Sequence, residues 1–455
     1  MKRPGGAPLL AATLSAALLA GCASDGSYVG PDFPFLPGYR GATGSPVLLD
    51  NLAWWTRLQD PVLDRLVARA LSGTPTLAAA QARVEAARAA RDGLPHAAIV
   101  SSQVGLRVEG TEAGSDRTAP LRFGLDWILD PYGVRRDRLR AAEARVDAAE
   151  AESDAARLLL LSNLATAYVD LRYEEERLAL ARRELGARQR TAGLIDTLLN
   201  QGEATRLEEV RAQARVAELR AELPALQTAP QATRNEIAVL IGLAPGALPP
   251  DLAAALQGSG QPLPTLSPEV GIPADLLRNR PDIRVAERRY AAALAELDAA
   301  EAARYPSLSL SGAITLDLLG GGLGYFLGPA LQLPDISGNN GRAGAAQARA
   351  AVHLAHAEWQ QAVLGALLEV ENALLAYDAT TTAAGAAQRA LSLYRETVTL
   401  TRNLYETGEV ALGDLIDAEL AVAEAERRLA ELRRQRAQSF VELNIRLGAG
   451  HRVGG

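Results

Sequence analysis

Four segments of the chain alternate between apolar and polar residues, which is the pattern of antiparallel strands with one apolar face. They form two pairs, at about residues 97–108 and 120–130 and at about 307–317 and 325–333. Polar residues 110–119 and glycine-rich residues 319–324 separate the members of each pair and predict loops. Each segment has roughly 10 residues, enough to cross a membrane when a strand is tilted. A soluble sheet with one solvent-exposed face shows the same alternation. The pattern therefore predicts the strands but does not decide between a membrane and a soluble sheet.

Elsewhere the apolar residues recur with helical spacing over unusually long segments. The pattern from Val134 to about Asn200 contains no proline and predicts a helix roughly 100 Å long. A return helix from about Glu203 to Ile241 and a helix from Pro281 to about Arg304 match that length when stacked end to end. Further helical patterns cover residues 75–92, about Arg342 to Glu406 and about Glu409 to Leu447. Together these segments predict a long barrel of helices beneath the strands.

The last helical pattern also has coiled-coil spacing. Its apolar seam holds the a and d positions of a heptad, at Leu415, Ala418, Val422, Ala425, Leu429 and Leu432. Alanine at two of these six positions permits close approach of the helices. A plain two-stranded coiled coil would show the same seam, but it would not carry four alternating strands in the middle of the chain.

The chain contains an internal repeat. Gly202 and Gly408 each follow a long helical pattern and stand 206 residues apart in similar sequences. Gly242 and Gly448 end two similar segments with the same offset of 206 residues. The two halves therefore share the order helix, strand pair, long helix, turn and helix.

Four strands are too few to close a membrane barrel. Known membrane barrels begin at about 8 strands, and an open edge in lipid would leave backbone groups unpaired. Several copies must therefore share one barrel, as a dimer with about 8 strands or a trimer with about 12 strands.

The N-terminus predicts export and lipidation. Residues 8–20 form an apolar run after a positively charged start, too short for a membrane span of roughly 20 residues. Residues 19–22 resemble a bacterial lipobox, which predicts a covalent diacylglycerol and an N-acyl chain on Cys22 as the only non-protein groups. Ala23 and Ser24 follow instead of an aspartate, as in lipoproteins sent to the outer membrane. The alternative is an ordinary signal with an incidental cysteine.

Composition excludes several classes of function. The net charge of -7 and the lack of a basic block argue against a nucleic-acid partner, and a single cysteine excludes disulfides. Abundant alanine with 4% aromatic residues favours closely packed helices over thick globular cores. His353 and His356 lie one helical turn apart without a third ligand, and residues 320–324 lack the setting of a phosphate loop. We therefore expect no enzyme, no catalytic residue and no metal site.

Several separated motifs resemble the outer membrane factor family, the TolC-type efflux channels, in its lipoprotein branch. The most specific is LLRNRPDI at residues 276–283, inside a longer signature at 271–312. Matching segments stand in the same order at 54–71, 238–248 and 405–429. The resemblance extends over nearly the whole mature chain.

This resemblance implies a mainly α homotrimer whose membrane barrel of about 12 strands is continued by a helical barrel in the periplasm. It also implies a periplasmic adaptor (a membrane fusion protein) and an RND-type inner-membrane transporter as partners. The expected division of the chain is a signal peptide at 1–21, an acylated connector at 22–60, the first outer membrane factor repeat at 61–242, an equatorial linker at 243–270, the second repeat at 271–448 and a loose tail at 449–455.

The resemblance further assigns functional residues to the two helical tips. The expected adaptor-docking residues are Gly202, Thr205, Arg206, Gly408 and Leu412. The expected periplasmic gate consists of Asp414, Asp417 and Tyr405. The two aspartates lie one helical turn apart, so three copies near an axis would make an acidic ring that favours cations. Alternatively they are a solvated acidic pair at a helix start, where acids suit the helix dipole.

Three functions compete at this stage. The favoured one is an outer-membrane lipoprotein channel that gives drugs and toxic small molecules a passive exit, driven by an inner-membrane transporter. A type I protein-secretion channel would have the same shape. A periplasmic scaffold or adaptor protein is the third, although the lipoyl-like domain of adaptors is not recognisable here. The sequence names neither the exported compounds nor the partner pump.

Overall fold

The computed structural model describes residues 30–35, 38–39, 53–111, 114–258, 260–264, 273–275, 279–333 and 339–450. Cys22 and the predicted signal segment lie outside the described residues. The helices are α1 (Pro61–Leu71), α2 (Pro75–Asp92), α3 (Val134–Gln201), α4 (Arg206–Leu240), α5 (Pro250–Ala255), α6 (Pro281–Ala302), α7 (Asn339–Glu406) and α8 (Leu412–Arg446). The strands are β1 (Ala98–Val104), β2 (Arg107–Thr111), β3 (Gly114–Thr118), β4 (Pro120–Leu129), β5 (Ser307–Asp317) and β6 (Leu323–Gln332).

The internal repeat is visible in the helix lengths. The long helices α3 and α7 both have 68 residues, and the return helices α4 and α8 both have 35 residues. These two helical hairpins have the order and the extent that the apolar periodicity predicts. None of the described helices is both long enough and apolar enough to cross a membrane.

A single antiparallel sheet contains four of the strands, in the order β1-β4-β5-β6. The register pairs Val100 with Leu125, Leu125 with Gly312, and Gly312 with Leu327. Each hairpin therefore contributes two neighbouring strands, and β4 and β5 join the two halves of the repeat. The edge strands β1 and β6 present unpaired backbone groups, which is the arrangement that sharing a barrel between copies requires.

The first hairpin is longer than the alternation predicts. Residues 110–119 were expected to be a loop, yet β2 and β3 continue the hairpin as a separate two-stranded ladder. The first expected strand, about 97–108, is interrupted at Gly105, whose N–H donates to the carbonyl of Pro120 at 3.1 Å. The prediction was wrong because backbone pairing does not need an apolar face, so a polar extension carries no period-2 signal.

The register sorts the four-stranded sheet into two faces. An apolar face carries Val100, Val104, Leu121, Phe123, Leu125, Trp127, Leu308, Leu310, Ile314, Leu316, Tyr325, Leu327 and Leu331. A polar face carries Ser101, Gln103, Arg122, Gly124, Asp126, Ser307, Ser309, Ser311, Ala313, Thr315, Asp317, Gly324, Phe326, Gly328, Ala330 and Gln332, together with the apolar Ile99 and Ile128. In the single chain Tyr325 is 84% exposed and Val100 is 77% exposed. An exposed apolar surface of this extent marks a contact with lipid or with protein.

One compact unit includes Arg83–Glu150 and Arg284–Gln361, and the strands of this sheet lie within those two ranges. Its helices pack through small side chains, because Ala144, Ala291 and Ala292 form a buried cluster. Ion pairs reinforce this close packing, and they include Arg88 with Glu150 at 2.7 Å, Arg140 with Asp298 at 3.1 Å and Arg349 with Glu301 at 2.7 Å.

The histidine pair belongs to the same unit. His353 is exposed, while the ring of His356 lies 5.3 Å from that of Tyr290 and 5.8 Å from that of Trp359. His356 therefore packs between aromatic rings. Among the described residues, no group of three or more acidic, cysteine or histidine side chains could hold a metal ion.

The second unit, built from Pro34–Ala82, Ala151–Ile283 and Ala362–Gly455, has the main apolar core. Trp54, Leu164, Tyr168, Ile237 and Phe440 are all fully buried in it. The core explains the tryptophan-rich segment at 54–71, since that segment folds against α3, α4 and α8.

A polar network ties the linker after α4 to this core. Asp60 caps α1 by accepting the N–H of Val62 at 2.9 Å, and its other oxygen accepts the hydroxyl of Tyr168 at 2.6 Å. Arg172 donates to the Tyr168 oxygen at 2.9 Å and to the carbonyl of Gly258 at 3.0 Å. The linker is thus hydrogen-bonded to Arg172 of α3, and Tyr168 extends the network to the start of α1.

Candidate functional site at the helical tips

The turns at the two helical tips have the same backbone geometry. Gly202 and Gly408 end α3 and α7 with φ angles of +80° and +76°. The N–H of each glycine donates to the carbonyl three residues earlier, at 3.0 Å in both tips. The next N–H donates to the carbonyl five residues earlier, at 2.8 Å and 2.9 Å. This is the Schellman arrangement, in which glycine fills the left-handed position because a Cβ would strain it.

The caps that begin the return helices differ between the tips. Thr205 and Glu208 form a full capping box: Thr205 N–H donates to Glu208 Oε2 at 2.7 Å, and Thr205 Oγ1 accepts Glu208 N–H at 3.3 Å. The Thr205 hydroxyl also donates to Glu208 Oε2 at 2.8 Å, and the two bonds donated to this carboxylate, from the Thr205 N–H and hydroxyl, lower the pKa of the Glu208 carboxyl. At the second tip Ala411 has no side-chain acceptor, so only the return half exists, from Ala411 N–H to Asp414 Oδ2 at 3.0 Å.

A cavity of about 600 Å³ lies between the two hairpins near their tips. The second hairpin contributes Tyr405, Val410, Ala411, Leu412, Gly413, Ile416, Asp417, Glu419, Leu420 and Ala423. The first hairpin contributes Glu184, Ala187, Arg188, Thr191, Ile195, Leu198, Glu203, Ala204, Glu208, Arg211, Ala212 and Arg215. The wall therefore combines aliphatic residues with a set of acids and arginines.

The structure brings together only part of the predicted set. Tyr405, Leu412 and Asp417 line this cavity, whereas Asp414 does not. The Asp414 carboxylate instead accepts the N–H of Ala411 at the start of α8, where an acid suits the helix dipole. Asp417 is exposed and takes no part in the cap.

The remaining predicted tip residues are on the surface of the hairpins. Gly202, Thr205 and Gly408 shape the turns and caps, and the side chain of Arg206 is 73% exposed. Arg206 pairs with Glu209 of the next turn, which is buried to 6% exposure. The first tip therefore presents a fixed cation beside exposed apolar side chains, those of Leu207 and Val210.

Sequence reasoning missed an ionic clasp between the hairpins. Glu184 of α3, only 7% exposed, accepts from Arg188 at 2.5 Å and from Arg427 of α8 at 2.9 Å. Arg188 also donates to the carbonyl of Arg215 on α4, at 2.7 Å. The spacing of Glu184 and Arg188 reveals that pair, but only the fold shows that Arg427 completes it. We call Glu184, Arg188 and Arg427 the clasp.

Two further ion pairs hold the second hairpin together. Arg402 of α7 lies 3.0 Å from Glu419 of α8, and Arg395 lies 2.6 Å from Glu426. Arg183 of α3 lies 3.8 Å from the same Glu426, so this carboxylate is shared between the hairpins. Charged contacts thus join the two hairpins at this end of the unit.

Comparison with known proteins decides the family. The model of the family described as outer membrane efflux protein matches residues 66–243 and 272–449, once for each half of the repeat. The chain belongs to the outer membrane efflux protein family. Members of this family are channels, not enzymes, which confirms the expectation that the chain is not an enzyme. Membership also excludes the alternative of a periplasmic scaffold or adaptor protein.

Individual relatives of this efflux protein match over nearly their full length. Nodulation protein T of Rhizobium leguminosarum bv. trifolii is 32% identical, over 95% of this chain and 96% of its own length. The pyoverdine export outer membrane protein OpmQ of Pseudomonas aeruginosa is 30% identical over 90% of both chains. The solved structure of the outer-membrane channel OprN is 30% identical with a TM-score of 0.83, over 93% of this chain and 99% of that one.

These matches confirm the predicted fold class and location of the efflux protein. It is an outer-membrane channel that projects into the periplasm, with the fold of trimeric channels in which three copies share one barrel. Members of the family work with a periplasmic adaptor and an inner-membrane transporter in tripartite pumps. In the shared barrel the apolar sheet face meets lipid and the polar face lines the lumen.

Proposed function

We propose that this chain is the outer-membrane lipoprotein channel of a tripartite pump that exports drugs and other toxic small molecules. Its energy source would be an RND-type inner-membrane transporter, and its adaptor would dock at the two helical tips. The observation that carries the proposal is the match of residues 66–243 and 272–449 to an efflux family, together with a charged cavity between the tips. The relative OpmQ, named for pyoverdine export, supports a small molecule as cargo.

The gate in this proposal lies at the cavity between the hairpins. Asp417 and Tyr405 belong to its wall, and the clasp spans from α3 to α8 beside them. Asp414 acts indirectly, because its carboxylate holds the first turn of α8. Adaptor docking would use Gly202, Thr205 and Arg206 on the first tip, with Gly408 and Leu412 on the second.

The lipid anchor is tested by changing the lipidated residue. Cys22→Ser should abolish incorporation of labelled palmitate, because the thioether needs the thiol of the only cysteine. Fractionation should still place the variant in the outer membrane, since the barrel itself spans lipid. The conservative change Ser24→Ala is the matched control and should keep the label. Palmitate retained in the Cys22→Ser protein would refute the lipoprotein assignment.

The cargo is tested by deleting the gene and restoring it on a plasmid. Deletion should lower the minimal inhibitory concentration of several drugs, dyes or metals, since the outer-membrane exit of the pump is lost. Cys22→Ser and wild type should be compared in the complementation. Unchanged sensitivity to the whole panel, together with the loss of a secreted protein from the medium, would instead establish the type I secretion channel.

A further inference from the structure

The lumen face of the sheet carries few charges. In β1, β4, β5 and β6, whose side chains are described, the only charged residues are Arg122, Asp126 and Asp317. All three fall on the polar face, and Arg122 is the only cation among them. The charge character of the barrel at this height therefore depends strongly on one arginine per chain.

The two aspartates are occupied by local partners. The Asp317 carboxylate accepts the N–H of Ala119 at 2.9 Å and the N–H of Leu319 at 3.1 Å, at the end of the strand. Asp126 accepts the hydroxyl of Ser311 at 2.6 Å. Neither lies within ion-pair distance of Arg122 in the part of the chain that the structure describes.

Arg122 instead lies over an aromatic ring. Its guanidinium carbon is 5.6 Å from the centroid of Phe326, which is two strands away on β6. The side chain can cross β5 because the partners that the register places there are Thr315 and Ala313. Phe326 is 51% exposed and is the only aromatic residue on the polar face. The pair thus presents a cation and a π face at one level of the lumen.

Threefold symmetry repeats this pair around the pore. A barrel of about 12 strands with strands about 4.8 Å apart and tilted about 40° has a backbone radius on the order of 12 Å. The guanidinium groups lie against the wall beside the Phe326 rings, so a solute near the axis is about one Debye length, about 8 Å, from all three of them. The field at this level is therefore felt by every molecule that passes.

We propose that Arg122 and Phe326 form a cargo-contact ring that favours aromatic anions in the outer part of the barrel. The guanidinium groups attract the negative charge, and the aromatic faces give stacking area to a planar cargo. This inference rests on the proposed function only in that small molecules pass the lumen. Its test does not depend on which compounds the cell exports.

The test is block of single channels in planar bilayers by pyrene tetrasulfonate added on the side of the barrel. Wild type should be blocked, and Arg122→Gln should weaken the block about tenfold because one cation is lost from each subunit. Phe326→Leu should weaken block by pyrene tetrasulfonate but leave block by trimetaphosphate unchanged, since trimetaphosphate has no aromatic ring that could stack on Phe326. The matched control is Phe123→Leu, next to Arg122 but on the lipid face, which should leave both unchanged.

A second measurement does not need a conducting channel. In intact cells Phe326→Cys should react with a membrane-impermeant thiol reagent, and pyrene tetrasulfonate should protect it. Adding Arg122→Gln should remove the protection, while Leu327→Cys, on the opposite face, should stay unlabelled. Undiminished block or protection without Arg122, or an equal effect of Phe123→Leu, would overturn the ring. Unchanged drug sensitivity on gene deletion would overturn only the proposed cargo.

Discussion

Arg427→Glu should raise the time-averaged conductance of single channels of the purified trimer about tenfold, through a larger population of the open form. The change places a carboxylate against Glu184, which is only 7% exposed and already depends on Arg188 and Arg427 for its charge balance. Opposing like charges at such a contact cost about 1–2 kcal/mol, and about 1.4 kcal/mol changes a population tenfold. Separation of the hairpins relieves this repulsion, so the open form gains population.

The control for this experiment is the neighbouring arginine. Arg428 is exposed on the same helix, so Arg428→Glu makes the same change of charge without touching the clasp. Conductance in planar bilayers should stay at the wild-type level for Arg428→Glu and for Arg427→Lys, which keeps the cation. If Arg428→Glu raised the conductance as much as Arg427→Glu, net charge rather than the clasp would be responsible. An unchanged Arg427→Glu channel would remove the clasp from the gate.

The clasp also changes how the acidic pair of α8 should be understood. Two aspartates one turn apart suggest a ring of equal charges, yet their side chains have different partners. Asp414 replaces the missing hydroxyl cap at Ala411, and Asp417 lines the cavity between the hairpins. Removing both therefore mixes a loss of helix capping, worth about 1 kcal/mol, with a loss of charge at the mouth. Separate asparagine variants distinguish these effects through stability for Asp414 and conductance for Asp417.

Much of the fold could be predicted because its signals are local and repeated. Apolar periodicity over 68 residues defines α3 and α7, and a glycine at the left-handed position marks the end of each. The lumen and lipid faces of the sheet follow from alternation, since side chains on a strand point to opposite sides. The need for several copies follows from the strand count, since backbone groups in lipid must all be paired.

The parts that could not be predicted depend on contacts between distant residues. The polar strands β2 and β3 have no apolar face to reveal them, so only their backbone ladder identifies them. Arg427 meets Glu184 across 243 positions of sequence, and no spacing rule links the two. The pairing of Arg122 with Phe326 likewise needs the register of three strands. Predicting the functional contacts at the tips and in the lumen therefore requires the three-dimensional structure. Predicting the fold does not.

Arg280 of the LLRNRPDI motif at residues 276–283 provides the largest expected effect on stability. Arg280 is buried to 7% exposure, and its guanidinium donates to both carboxylate oxygens of Asp282, at 3.0 Å and 2.7 Å. It also lies 2.8 Å from Glu369 of α7 and donates to the carbonyl of Arg446 at 3.0 Å, at the end of α8. One side chain thus joins the start of α6 to both helices of the second hairpin.

Arg280→Ala should therefore lower the free energy of unfolding by about 3 kcal/mol, because it leaves carboxylates and a carbonyl without their buried donor. Heating the purified protein in detergent and following its helical circular dichroism measures the effect. Arg280→Lys should lie between wild type and Arg280→Ala, since an ammonium keeps the charge but not the paired geometry. Arg65→Ala, at an exposed position of α1, is the matched control and should unfold like wild type. If Arg280→Ala unfolded at the same temperature as Arg65→Ala, the contacts of Arg280 with α6, α7 and α8 would not stabilise the fold.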